Sequence, residues 1–192
     1  MSESAIHLVD EVLPIKPIRQ WVMSFPIQIR LLLAVRPKIM SEVLNIVTNT
    51  ISGHLCKKGG FKKSQAKAGV VTLIQRFGGS INVHFHQIYL DGVYRLDADG
   101  RPGAFHITKP PTPTELATVL DKIILRTTKM LERRGIIKRD EEDHLQINFD
   151  EDDRPAFTTP LSHETLSRKF EKTCRRANLA AKIMIWIGNS AA

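Results

Sequence analysis

Apolar residues dominate Ile18 to Phe25, which reads as a strand, an element of two-residue period, and Pro26 ends the run. After Pro37 the period lengthens. Ile39, Val43, Ile46, Val47, Thr50 and Ile51 recur at three- and four-residue steps, which predicts an amphipathic helix to about Cys56. Glycines 59 and 60 break it into a lysine-rich loop, and Val70 to Phe77 then reads as a β-branched strand. Gly78-Gly79-Ser80 turns the chain into a second strand, Asn82 to Leu90. Asp91-Gly92 predicts a two-residue hairpin turn into Val93–Leu96, and Asp99-Gly100 a further turn before Ala104–Ile107. These strands form an antiparallel meander. Thr114 and Glu115 open a long helix to about Arg134, with Leu116, Val119, Leu120, Ile123, Ile124 and Leu131 as its apolar stripe and Gly135 as its stop.

The pattern predicts an α+β fold, an antiparallel β-sheet flanked by helices. Acidic residues dominate Asp140 to Asp153, which reads as a surface loop, and Ser162 to Ala181 reads as a basic helix. The expected organisation is a core over 1–139, an acidic loop over 140–160, and a basic helix with a divergent tail over 161–192.

Charge narrows the partner. The 192 residues carry a formal net charge of +8, with a pI near 9.7, which favours a polyanion such as nucleic acid. Lys57, Lys58, Lys62 and Lys63 in the loop, with Arg126, Arg133 and Arg134 on the helix predicted from Thr114 to Arg134, are the candidate DNA contacts. A solvated face without a partner explains such a charge run equally well. The two cysteines, Cys56 and Cys174, form no C-x-x-C pair, as expected of reduced thiols in a cytoplasmic protein. The first fourteen residues have no apolar h-region, and no apolar run is long enough to span a bilayer, so neither secretion nor a membrane is expected.

His84-Phe85-His86 is the segment with chemical potential. On a strand both imidazoles project from one surface, one pleat apart, and can share a divalent ion. By itself an H-x-H strand is more often two surface histidines. Gln75 on the preceding strand adds an amide oxygen if the strands pair. A mixed nitrogen and oxygen shell with open positions suits Mg²⁺ or Mn²⁺ better than structural zinc. Gln75 could equally make a simple cross-strand hydrogen bond.

Arg19-Gln20-Trp21-Val22 with Ser24-Phe25-Pro26, Gln75-Arg76-Phe77-Gly78, His84-Phe85-His86 and Leu90-Asp91-Gly92-Val93-Tyr94 together resemble rolling-circle insertion-sequence transposases. These belong to the two-tyrosine branch of the superfamily named for its histidine–hydrophobe–histidine (HUH) motif, and the resemblance extends to about Gly135. It implies a Rep-like nuclease core. In that family a metal on two histidines polarises a phosphate of single-stranded DNA, and a tyrosine attacks to leave a 5′-phosphotyrosine. By that resemblance His84 and His86 are metal ligands, and Gln75 is a candidate third.

The chain also departs from the family. Its nucleophiles lie on a helix downstream of the histidines, whereas the only tyrosines here are Tyr89 and Tyr94. Tyr89 is an odd number of residues from both histidines and faces the other way; a two-residue turn at Asp91-Gly92 would put Tyr94 across from it on the same face. Both are therefore expected to be packing residues. The linker from Gly78 to Val83 is about two residues shorter than usual, which slides the strand pairing, and a cysteine-rich zinc module is lacking. The expectation is a truncated transposase, nucleoid-associated when on DNA, without its nucleophile. Two alternatives are a non-catalytic DNA-binding remnant and a metal-binding module unrelated to DNA.

Overall fold

The computed structural model describes residues 7, 11–75, 83–139, 145–147 and 184–190. Strand β1 (Ile18–Ser24) leads through Phe25-Pro26 into α1 (Ile27–Val35) and α2 (Pro37–Lys58). Strands β2 (Ala66–Lys67), β3 (Val70–Gln75), β4 (His84–Leu90), β5 (Gly92–Leu96) and β6 (Pro102–Ile107) follow. Helix α3 (Pro113–Arg133) precedes β7 (Ile137–Arg139), β8 (Leu145–Ile147) and β9 (Met184–Ser190). The fold is α+β with antiparallel pairing throughout these strands.

The main sheet has the order β3-β4-β1-β9, so the histidine strand is interior. One face carries Trp21, Met23, Phe85 and Tyr89, all at most 2% exposed, and packs with Val43, Val47, Ile51 and Leu55 of α2. Burying each of these large side chains stabilises the fold by roughly 2–3 kcal/mol. Gln87 enters this apolar layer because its amide donates to the Thr48 hydroxyl at 2.7 Å and the Thr72 hydroxyl at 3.1 Å. Helix α3 stacks on α2 through Val119, Ile123 and Leu131.

A second sheet, β2-β5-β6, shares no strand with the first, and here the structure corrects the expected hairpin. Asp91-Gly92 is not a two-residue turn returning β5 onto β4. The Asp91 N–H donates to the Pro17 carbonyl at 2.7 Å, its carbonyl accepts from the Thr108 N–H at 3.0 Å, and its carboxylate grips Arg19. Three tertiary contacts thus hold the chain straight as it passes from one sheet to the other. Gly92 fits because a Cβ there would lie 2.4 Å from the His106 carbonyl oxygen. Tyr94 accordingly lies opposite Lys67 and Phe105, not opposite Tyr89.

Smaller differences have equally local causes. Helix α3 starts one residue before the expected opening, because Thr112 is the N-cap and forms a reciprocal capping box with Glu115. Gly135 follows its last turn with φ +69°, a conformation that favours glycine. Helix α1 went unread in the sequence. Within the stretch expected to be acidic loop, Leu145–Ile147 pairs with β7. The tail supplies β9, which lies along the full length of β1. The linker residues 78–82, most of the 140–160 segment, the basic helix expected over 162–181 and Cys174 lie outside the described residues. Cys56 is buried, its thiol donating to the Ala66 carbonyl at 3.4 Å, and burial pushes the thiol's pKa up. Among the described residues no helix is long and apolar enough to cross a membrane.

Candidate functional site

The alternation that buries Phe85, Gln87 and Tyr89 against α2 turns His84 and His86 to the opposite face, where both are half-buried. Gln75 lies directly across from His84 on β3, and Ser24 lies across from it on β1. The three side chains therefore form one row across three strands, with neighbours about 5 Å apart at Cβ. His86 lies between Leu73 and Val22 in the next row. The short linker has not moved Gln75 off the level of the histidines.

The rings of His84 and His86 are 6.4 Å apart between centroids, with planes tilted by 59°. Two imidazoles bound side by side to one cation at ordinary metal–nitrogen distances have centroids about 5 Å apart. The two rings therefore stand wider apart than a shared cation requires. Gln20 Nε2 lies 3.0 Å from His86 Nδ1, which fixes that ring and leaves Nε2 as its metal-facing atom. Partial burial lowers the His84 pKa, and the charges of Arg30 and His86 add to the effect. A neutral imidazole is the form that binds metal. Among the described residues no group of three or more His, Cys, Asp or Glu is placed to hold an ion, and the neutral Gln75 amide and Ser24 hydroxyl are the polar neighbours of His84 in its row. Two imidazoles and one amide oxygen on an open face fit a cation that keeps several water or phosphate ligands.

Neither tyrosine reaches this face. Tyr89 is fully buried, its hydroxyl donating to the Thr48 carbonyl at 3.2 Å and its ring edge-on to Trp21 at 6.2 Å. Burial pushes its pKa up to about 12, against smaller opposing contributions from Ser52 and Thr48. Tyr94 stacks on Phe105 at 5.0 Å in the second sheet.

The basic residues divide into three sets. Lys58 and Arg134 form ion pairs with Glu115 and Glu42, each at 2.5 Å. Lys58, together with the Thr112 backbone, holds the Glu115 carboxyl down at about 2. Lys57, Lys62 and Lys63 are exposed at the end of α2 and in the loop after it, and Lys63 donates to the Asn49 side-chain oxygen at 2.9 Å. Arg126 and Arg133 line an open depression of about 600 Å³ beside α2, together with Lys129, Ile46 and Glu132. Arg126 is anchored there by donating to the Thr50 hydroxyl at 3.0 Å. Lys129, not among the candidate contacts read from the sequence, joins this groove through the packing of α3 on α2. The histidines are on the sheet face turned away from the core it shares with α2, whereas the groove is lined by α2 and α3.

No protein-family model, curated protein or solved structure matches this chain. Its chemistry rests on its own residues.

Proposed function

We propose that this chain is the histidine-bearing core of a DNA transposase of the HUH type, one that binds a divalent cation and single-stranded DNA but lacks the tyrosine that cuts it. The observation that carries the reading is the row Gln75–His84–Ser24 with His86 beside it, on an interior strand and on the face turned away from the core shared with α2. His84, His86 and the Gln75 oxygen would hold Mg²⁺ or Mn²⁺. That ion would supply charge to polarise a phosphodiester. The strands hold the donors at fixed spacing, and Gln20 orients the His86 ring. The Rep-like architecture is part of the same proposal; antiparallel sheets with three helices among the described residues are compatible with it.

Strand cleavage by this chain alone is not expected, because the Tyr89 hydroxyl is directed into α2 and Tyr94 belongs to another sheet. The test combines Mn²⁺ titration with incubation on single-stranded DNA followed by a denaturing gel. Wild type binds Mn²⁺, His84→Ala and His86→Ala do not, and no covalent adduct forms. An adduct lost on Tyr89→Phe or Tyr94→Phe would overturn the account of the nucleophile, and absence of Mn²⁺ binding would overturn the metal site.

The Arg126–Lys129–Arg133 groove favours a second reading, a DNA-binding protein without catalysis. DNA binding that survives both EDTA and His84→Ala but weakens with salt would support it.

A further inference from the structure

Strand β3 is one edge of the main sheet, and the phase of its pairing decides which of its backbone groups are turned outward. Gly69, one residue ahead of the strand, is level with Leu90 and accepts from its N–H at 3.1 Å. Hydrogen-bonded pairs recur at every second residue of an antiparallel ladder. Val71, Leu73 and Gln75 therefore direct their N–H and C=O groups at β4. Those of Val70, Thr72 and Ile74 point the other way, where no strand lies among the described residues. Such an edge is usually blunted by a charge, a proline or a bulge. Val70–Gln75 contains no charge and no proline, and its register on β4 runs unbroken. Leu73 on the histidine face of this edge is 51% exposed.

We propose that β3 is a dimer interface, pairing antiparallel across a two-fold axis with β3 of a second copy of this chain. The strand is complementary to itself. The register that engages all three outward residues puts the axis at Thr72. It sets Thr72 opposite the partner's Thr72, Val70 opposite the partner's Ile74, and Val71 opposite the partner's Leu73. These are β-branched and apolar pairs of the kind that stabilise a sheet. Charge favours this place for the contact. Each copy carries a formal +8, so two copies repel wherever their cations meet, and the six residues of β3 bring none together. The axis stands normal to the sheet, so both histidine faces lie on one side of a continuous sheet, with the two β4 strands about 14 Å apart. The proposal goes beyond the metal reading and does not depend on it.

Sedimentation equilibrium of the full chain over a concentration series tests it. Six residues a side is a small contact, so wild type should pass gradually from 21.7 kDa toward twice that mass. Added salt should favour the dimer by screening the repulsion, the opposite of its effect on DNA binding. Ile74→Pro deletes an outward N–H and leaves the ladder to β4 intact. The two-fold removes that bond twice, so the dissociation constant should rise about thirtyfold. Leu73→Lys places a charge on the edge at an exposed position and should weaken the dimer too; it carries the comparison should the proline variant fail to fold. The register is read by oxidising a mixture of Val71→Cys and Leu73→Cys chains. The mixture should crosslink above the background of wild type, which has Cys56 and Cys174, and neither variant alone should. No crosslink in the mixture overturns pairing about Thr72. A wild type that stays at the single-chain mass overturns the interface and leaves the edge to a strand of another protein. A dimer equally stable in Ile74→Pro and Leu73→Lys overturns it as well, since it would form elsewhere. Mn²⁺ titration of the wild type, read separately, tells failure of the metal site from failure of the dimer.

Discussion

The Tyr89 hydroxyl donates to the Thr48 carbonyl at 3.2 Å, across the interface between the main sheet and α2. A group that resembled a nucleophile by residue type is thus part of the core. Tyr89→Phe removes one buried hydrogen bond and should cost about 1 kcal/mol of stability, read by urea unfolding. The same burial gives a pH signature. The folded phenol titrates at about 12 and the unfolded one near 10, so the unfolded state loses its proton first as pH rises. Stability from this group is complete below pH 10 and falls by about 3 kcal/mol as pH climbs to 12. In Tyr94→Phe, absorbance titration of the remaining tyrosine should show that late ionisation. A midpoint near 10 would mean Tyr89 is solvated.

Arg19 and Asp91 bond through two parallel contacts, Nε to Oδ1 at 2.9 Å and Nη2 to Oδ2 at 2.5 Å, with side chains only 6% and 13% exposed. Removing one partner breaks an ion pair that is largely shielded from water. Asp91→Ala should therefore destabilise the fold by about 3–5 kcal/mol, whereas the double variant Arg19→Met/Asp91→Leu should recover most of that loss. Thermal unfolding of Arg19→Met, Asp91→Leu and the double variant closes the cycle. Additive losses would show that the pair is not coupled.

Arg19 and Asp91 also explain what the sequence could and could not reveal. The apolar run closed by Pro26, and the steps from Ile39 to Ile51, are local signals, and both elements formed where expected. Asp91-Gly92 is an equally local turn signal, but the Arg19 guanidinium from a distant strand overrode it. Helix α1 escaped notice because Ile27–Val35 is almost wholly apolar and has no polar face to mark a period. The short apolar run in the tail gave no sign of its partner, which is the first strand of the fold. Of the candidate site, strand parity sufficed for the shared face of the histidines. The pairing of Lys58 and Arg134 with carboxylates depends on tertiary packing.

Gln20 contacts His86 at Nδ1, and its role can be tested separately from the ligands. A histidine that gives Nε2 to a metal holds its proton on Nδ1 and donates it to an oxygen. Oxygen and nitrogen of an amide exchange places by a simple flip, so the Gln20 oxygen can take that proton. Gln20→Leu should weaken Mn²⁺ binding by roughly 10–100-fold with the fold preserved, and Gln20→Glu should retain it. Calorimetric titration reads both. Equal affinities for wild type and Gln20→Leu would mean the ring is oriented by something else.

The groove beside α2 makes a separable prediction about DNA. Arg126, Lys129 and Arg133 are three and four residues apart, so they share one helix face, and Thr50 holds Arg126 in place. If a single strand lies there, the triple alanine variant of these residues should reduce the slope of log affinity against log salt by about 2, since each lost phosphate contact removes about 0.7. The effect should be the same in EDTA, because the groove is lined by α2 and α3 and the histidines are on the sheet face turned away from the core it shares with α2. Lys58→Ala and Arg134→Ala should leave the slope unchanged, their charges being paired with Glu115 and Glu42. The loop triple Lys57→Ala/Lys62→Ala/Lys63→Ala is the necessary comparison. These lysines are exposed side chains that lose rotamer freedom on binding, so each should contribute less affinity than the anchored Arg126 while changing the slope by a similar amount. A slope altered by the loop variant alone would move the binding surface to the end of α2 and leave the groove without a role in DNA binding.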